Sequence, residues 1–161
     1  MLVKSVTLLT MVVILAVFAC GAAAQQQPTP YGMPISLEIA KKAAAAAVVE
    51  IQKNNWYMAV AVTDPAGNLV YFEKIDGTQT ASVNIAIAKS RAAAQFKRPT
   101  KVFQDALAAG NTYVLGLPGT VPSEGGIPIV SDGKIIGAIG VSGGTGQQDG
   151  VAAKAGADAI K

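Results

Sequence analysis

The chain contains no histidine. That absence removes at once the usual general base near neutral pH, the commonest metal ligand and the commonest axial ligand of haem. Cysteine is almost as scarce: Cys20 is the only one. A chain that loses its first 24 residues therefore has no disulfide, no thiolate nucleophile and no cysteine-based metal site. Charge is sparse as well, at 14% of residues with a formal net charge of +3. The lysines are scattered, and no cluster of Lys, Arg and aromatic side chains marks a nucleic-acid surface, so no nucleic-acid partner is expected.

What is present begins with an address. Lys4 followed by SVTLLTMVVILAVFACGAAA is a short basic start, an apolar core and a small-residue exit. This is the layout of a secretory signal peptide over residues 1–24, and it predicts export to a periplasmic or extracellular location. The AAA at Ala22 to Ala24 suits cleavage before Gln25. VFAC, Val17 to Cys20, offers a second reading in which Cys20 becomes a lipidated first residue and the protein meets a membrane through that lipid, although Phe18 fits such a box poorly. An uncleaved span is disfavoured, because Thr10 breaks the apolar run. Residues 25–35, opening QQQPTPYGMP, are polar and proline-rich and read as a flexible, extended leader. The folded domain is expected over residues 36–161.

Within it, Ser36 suits an N-cap and Glu38 the positive end of a helix dipole. Leu37, Ala40, Ala44, Val48 and Ile51 recur at helical spacing, so an amphipathic helix runs to about Asn54. In WYMAVAVTDPAGNLVYFEK, two β-rich runs flank DPAGN, whose Asp64, Pro65, Gly67 and Asn68 supply turn chemistry for a β-hairpin. Its first strand, residues 57–62, is apolar almost throughout and should be central, covered on both faces. Residues 83–96 form a second helix, on which Lys89 falls among Ala86, Ala93 and Phe96 on the apolar side. Such a lysine either packs its stem and sends its ammonium to water or a carboxylate, or binds a ligand. Pro99 ends that helix, and Thr100 is placed to cap a short third one, residues 101–109, stopped by Gly110. GGIPIVSDGKIIGAIGV is a second hairpin turning at Ser131, Asp132 and Gly133. Gly137 and Gly140 interrupt its second strand, where an alanine-rich helix or a neighbouring subunit would pack closely.

IIGAIGVSGGTGQQDGVAAKAG, residues 135–156, has the strand, glycine-rich loop and helix order of a phosphate cradle. The details disfavour that use. Tightly joined strands run antiparallel, whereas the dinucleotide fingerprint belongs to a parallel unit. The third fingerprint glycine would fall at Asp149, no P-loop lysine follows, and a carboxylate stands in the helix's first turn.

AVTDPAGNLVYFEKIDG, AIAKSRAAAQFKRPT and GGIPIVSDGKIIGAIGVSGGTGQQDGVAAKAGADAI, in that order, resemble the GlcG/HbpS family, the haem-degrading-type domain also found at the C-terminal end of PduO-type proteins. The resemblance spans residues 36–160. It implies a profilin-like α/β/α sandwich around a central antiparallel sheet, an α+β fold that agrees with the element order above. It also implies a homo-oligomer and, for some members, haem binding with slow haem degradation. Haem would here lack a histidine ligand, leaving hydroxyl, phenolate or thioether groups such as Thr100, Thr145, Tyr113 and Met58. Lys89, Arg98 or Lys101 would then meet the propionates. Glu124 beside the Gly125-Gly126 bend, Ser142 and Gly143 at a strand end, and Asp149 on the last helix complete the candidate ligand-binding set. Lys89 could pair with Glu124 or with Asp149, as part of a site or purely to satisfy two buried charges. For Asp149 the residues favour a helix N-cap or a dipole partner. No catalytic residue is singled out. The functional expectation is an exported binding protein for haem or another small ligand, the alternatives being a non-catalytic oligomeric accessory protein or an enzyme acting on a small organic acid.

Overall fold

A computed structural model describes residues 27–160. The expected signal segment and both readings of its end, Cys20 included, lie outside the described residues. Helix α1 (Leu37–Lys53) is followed by β1 (Ala59–Thr63), β2 (Leu69–Lys74), α2 (Ser82–Phe96), α3 (Lys101–Ala108), a 3-10 turn (Thr112–Gly116), β3 (Gly126–Ser131), β4 (Lys134–Ser142) and α4 (Gly146–Asp158). The strands form one antiparallel sheet in the order β2-β1-β4-β3. The two hairpins therefore meet through their β1 and β4 edges, and the fold is α+β.

The alternation of strand side chains decides what covers each face. Val60 and Val62 of β1 and Ile139 and Val141 of β4 face α1 and α4, in one core with Ala43, Ala47 and Ile51. The opposite face is lined by small groups: Ala59 and Ala61 lie against Ala86, and Ala138 lies against Ala93 and Ala94. Among the described residues α2 covers this face, and it can lie close because Gly140 has no side chain; a Cβ there would collide with the Ala86 carbonyl oxygen and the Ser90 nitrogen. The polar set Thr63, Ser90 and Ala138 knits the same layer, with Ser90 Oγ 2.8 Å from Thr63 Oγ1 and donating to Ala138 O at 2.9 Å. Of the two uses expected for the strand glycines, packing against an alanine-rich helix is the one Gly140 serves.

Local signals hold in most places. Ser36 Oγ accepts from Ile39 N–H, and Asp64 accepts from Asn68 N–H at 2.9 Å with Gly67 at φ +89°. Three expectations are corrected. Leu37 lies on the azimuth of α1's apolar stripe but in the first turn, where nothing covers it, and it is exposed. Thr100 is itself helical and its hydroxyl caps nothing in α3; it accepts instead from Gly126 N–H at 2.9 Å. The N-cap of α4 is Thr145, not Asp149: Thr145 and Gln148 form a reciprocal capping box, and Asp149 stands in the first turn, the other of its two expected places.

The stretch before α1 runs along β4. Ile135 N–H donates to Pro30 O at 2.9 Å, Gly32 N–H to Ile135 O at 2.8 Å, and Ile35 N–H to Ile136 O at 2.7 Å. It takes the β4 edge that β1 leaves when it turns away after Thr63.

Candidate functional site

Lys89 projects from the sheet side of α2 and is 1% exposed. Its ammonium donates to Asp149 Oδ2 at 2.7 Å and to Val141 O at 3.3 Å. Asp149 Oδ1 accepts from Gly144 N–H at 2.9 Å. Burial pushes the Asp149 carboxyl above its usual range, against the pull of the Lys89 ammonium and of the Gly144 and Gly143 N–H groups. Each charge thus has its partner inside the protein, and of the two carboxylates expected for Lys89 it is Asp149 that pairs with it.

The glycine bend between the 3-10 turn and β3 lies directly on this pair. Gly125 has φ +127°, and a Cβ there would lie 2.6 Å from Val141 O, 2.8 Å from Asp149 Cβ and 3.0 Å from Lys89 Nζ. Val141 N–H donates back to Gly125 O at 2.9 Å. Thr100, fully buried, clamps the next residue from both sides, its N–H donating to Gly126 O at 3.0 Å while its hydroxyl accepts from Gly126 N–H. Glu124 is not the partner of Lys89. Its backbone N–H donates to Gln104 Oε1 at 2.8 Å, and its side chain lies over Gly150, where any Cβ would strike the carboxylate. Ser142 is buried and donates to Ser82 Oγ at 3.4 Å; Gly143 packs against Met58. Outside this knot is a cleft of about 320 Å³ floored by Gly125 and Gly126 and rimmed by Lys101 and Lys154, each ion-paired on its own helix with Asp105 and Asp158.

Two N–H groups of the glycine-rich loop are taken up by the protein's own side chains. Gly144 N–H goes to Asp149 and Thr145 N–H to Gln148 Oε1. Its own side chains occupy the anion position at the start of α4.

Arg98 lies elsewhere. With Lys97, Phe96 and Gln95 at the end of α2, Val102 of α3, and Gln27, Pro28 and Thr29 from the stretch before α1, it lines a groove of about 660 Å³. Lys97, in the left-handed conformation at φ +56°, ends α2. Arg98 Nε donates to Phe96 O at 3.0 Å, which orients the guanidinium. Tyr31 stands beside the groove with its hydroxyl on Ala94 O at 3.0 Å and Gln95 O at 3.2 Å, and Lys97 Nζ lies 4.1 Å from the centre of its ring. Burial raises the Tyr31 phenol above its usual range, so it stays a donor. The sequence reading named Arg98 and did not name Lys97, Pro28 or Tyr31, which the structure places around it. The one available signal was an aromatic residue alone in a proline-rich stretch.

Fold and motifs together define a class. A family model described as "Haem degrading protein HbpS-like" matches residues 35–158, and the chain belongs to that family. Among its relatives, Protein GlcG of Escherichia coli strain K12 is 41% identical over 108 residues, covering 67% of this chain and 81% of that protein. The structure is similar to that of a double mutant of HbpS from Streptomyces reticuli, with 33% identity, a TM-score of 0.74 and coverage of 89% of this chain and 98% of the other. A PduOC:heme complex, 24% identical with a TM-score of 0.72 over 80% of this chain and 96% of its own, shares the fold.

Proposed function

We propose that this is an exported binding protein for haem, or for a similar planar ligand carrying carboxylates, and that the ligand lies in the groove at the end of α2. The carrying observation is that Lys97 and Arg98 line one groove of about 660 Å³ together with Phe96 and Val102, a volume in the range of cofactor sites. Arg98 offers a planar fork to a propionate and Lys97 a second cation, while Phe96, Val102 and Pro28 meet the ring's apolar face. The family's description supports haem as the ligand, and the signal-like start supports export.

The residues fit a porphyrin's carboxylates and faces better than its iron. Of the expected iron ligands, the Thr100 hydroxyl is held by Gly126 N–H, Thr145 caps α4 and Met58 lies in the core. The exposed Tyr113 phenol keeps its freedom. When bound, haem supplies the redox-active iron; the chain's own residues bind and orient it.

The test is a hemin titration of the untagged protein without residues 1–24. A saturable Soret shift that survives gel filtration is expected, weakened roughly tenfold or more in Arg98→Ala, as for loss of a charged hydrogen bond. Hemin that behaves as free hemin, or equal affinity in Arg98→Ala, overturns the reading, and so does a bis-histidine spectrum. Loss of the Soret band on adding a reductant reads out haem degradation separately.

A second reading, the oligomeric accessory protein, has its own observation. Tyr113, Leu115 and Leu117 on and beside the 3-10 turn, and Val102 on the adjacent α3, are exposed together. A sharp oligomer peak with no hemin bound would favour it.

A further inference from the structure

We infer that residues 28–31 are a movable wall of the α2 groove and that Tyr31 is the clasp holding it shut. The inference rests on that groove being the ligand site. Pro28 and Thr29 form one side of it, and the chain's hydrogen bonds to the sheet begin only at Pro30. Two of the four residues, Pro28 and Pro30, have no N–H to donate, so the backbone contributes little beyond the bond that Pro30 O accepts from Ile135 N–H. A side chain adds the hold on α2. The Tyr31 hydroxyl reaches two carbonyls in the last turn of α2, Gln95 O and Ala94 O, the second of which also accepts from Lys97 N–H at 3.3 Å. Lys97, which lines the groove, stacks its ammonium on the same ring and so backs the clasp from the ligand's side.

The bonds suit opening and closing. Tyr31 is 43% exposed, so water can take both the hydroxyl and the carbonyls when the clasp lets go. Releasing it leaves the core untouched, because Ile35, the first buried residue of the segment, is anchored separately through Ile136 O. Opening at Tyr31 therefore frees the wall together with the neighbouring Gly32 N–H, while the segment stays on β4 at Ile35.

The experiment compares wild type, Tyr31→Phe and Arg98→Ala by hydrogen exchange over residues 30–35 and by stopped-flow hemin binding. Tyr31→Phe keeps the ring and its Lys97 contact and loses only the hydroxyl. Gly32 N–H should then exchange about fivefold faster, and hemin should leave about fivefold faster, as expected for one modest hydrogen-bond contribution. Arg98→Ala should weaken hemin binding without changing exchange at Gly32. Unchanged exchange in Tyr31→Phe overturns the clasp. Faster exchange with wild-type hemin rates overturns the gating role, since a purely structural tyrosine would change only the first readout. If wild-type protein binds no hemin, the groove reading falls and the gate with it. If wild type binds, Arg98→Ala weakens it and Tyr31→Phe matches wild type, the clasp alone falls.

Discussion

Lys89 and Asp149 place two opposite charges where water does not reach, and the arrangement holds only while both are present. Lys89→Met should strand the carboxylate and destabilise the fold by about 3–5 kcal/mol, measured by urea denaturation. Lys89→Met combined with Asp149→Leu should recover at least half of that loss, because no buried charge remains and Gly144, which loses its acceptor, is an exposed residue; a double variant no more stable than the single one would contradict this. The raised Asp149 carboxyl also sets a slope. Its folded-state pKa lies above the ordinary carboxylate value, so between those two values the native chain holds a proton the unfolded chain has released. Unfolding free energy should therefore fall as pH rises through that window, and Asp149→Asn should flatten the fall in a series of denaturation curves. The sequence placed Lys89 on the apolar side of its helix, which periodicity alone can do. It left Glu124 and Asp149 as equal partners, because the choice depends on how the Gly125 bend and α4 meet, and neither leaves a periodic trace.

At the scale of elements, α2 lies close because the sheet face beneath it is made of Ala59, Ala61, Ala138 and Gly140. Gly140→Ala adds one methyl where the Ala86 carbonyl stands, so it should cost at least about 1–3 kcal/mol by overpacking, read from thermal or urea unfolding. Gly110→Ala is the contrast: no atom lies within contact of its missing Cβ, so any cost comes from its φ of +88° alone. Elements with local chemistry were legible. Asp64, Gly67 and Asn68 fixed the first hairpin, and Pro99 marked the end of α2, which closes just before it at the left-handed Lys97. Thr100 was misread because Ser and Thr before a helix usually cap it, whereas here a tertiary acceptor role for Gly126 N–H wins. The Thr145-x-x-Gln148 box was readable as a pattern and was passed over in favour of Asp149.

For the whole molecule, the two hairpins followed from their turns, but their joining through β1 and β4 did not, since nothing in either strand names its distant partner. The groove was likewise beyond reach: it needs the leader, the end of α2 and α3 brought together. The same sheet order governs how the chain reaches its native state. β1 is central, yet one of its edges stays open until β4, from the last part of the chain, arrives to pair with it. The first hairpin and α1 together lack β4 and α4, against which they pack, so the domain should form late and all at once, more slowly than a helical bundle of its length.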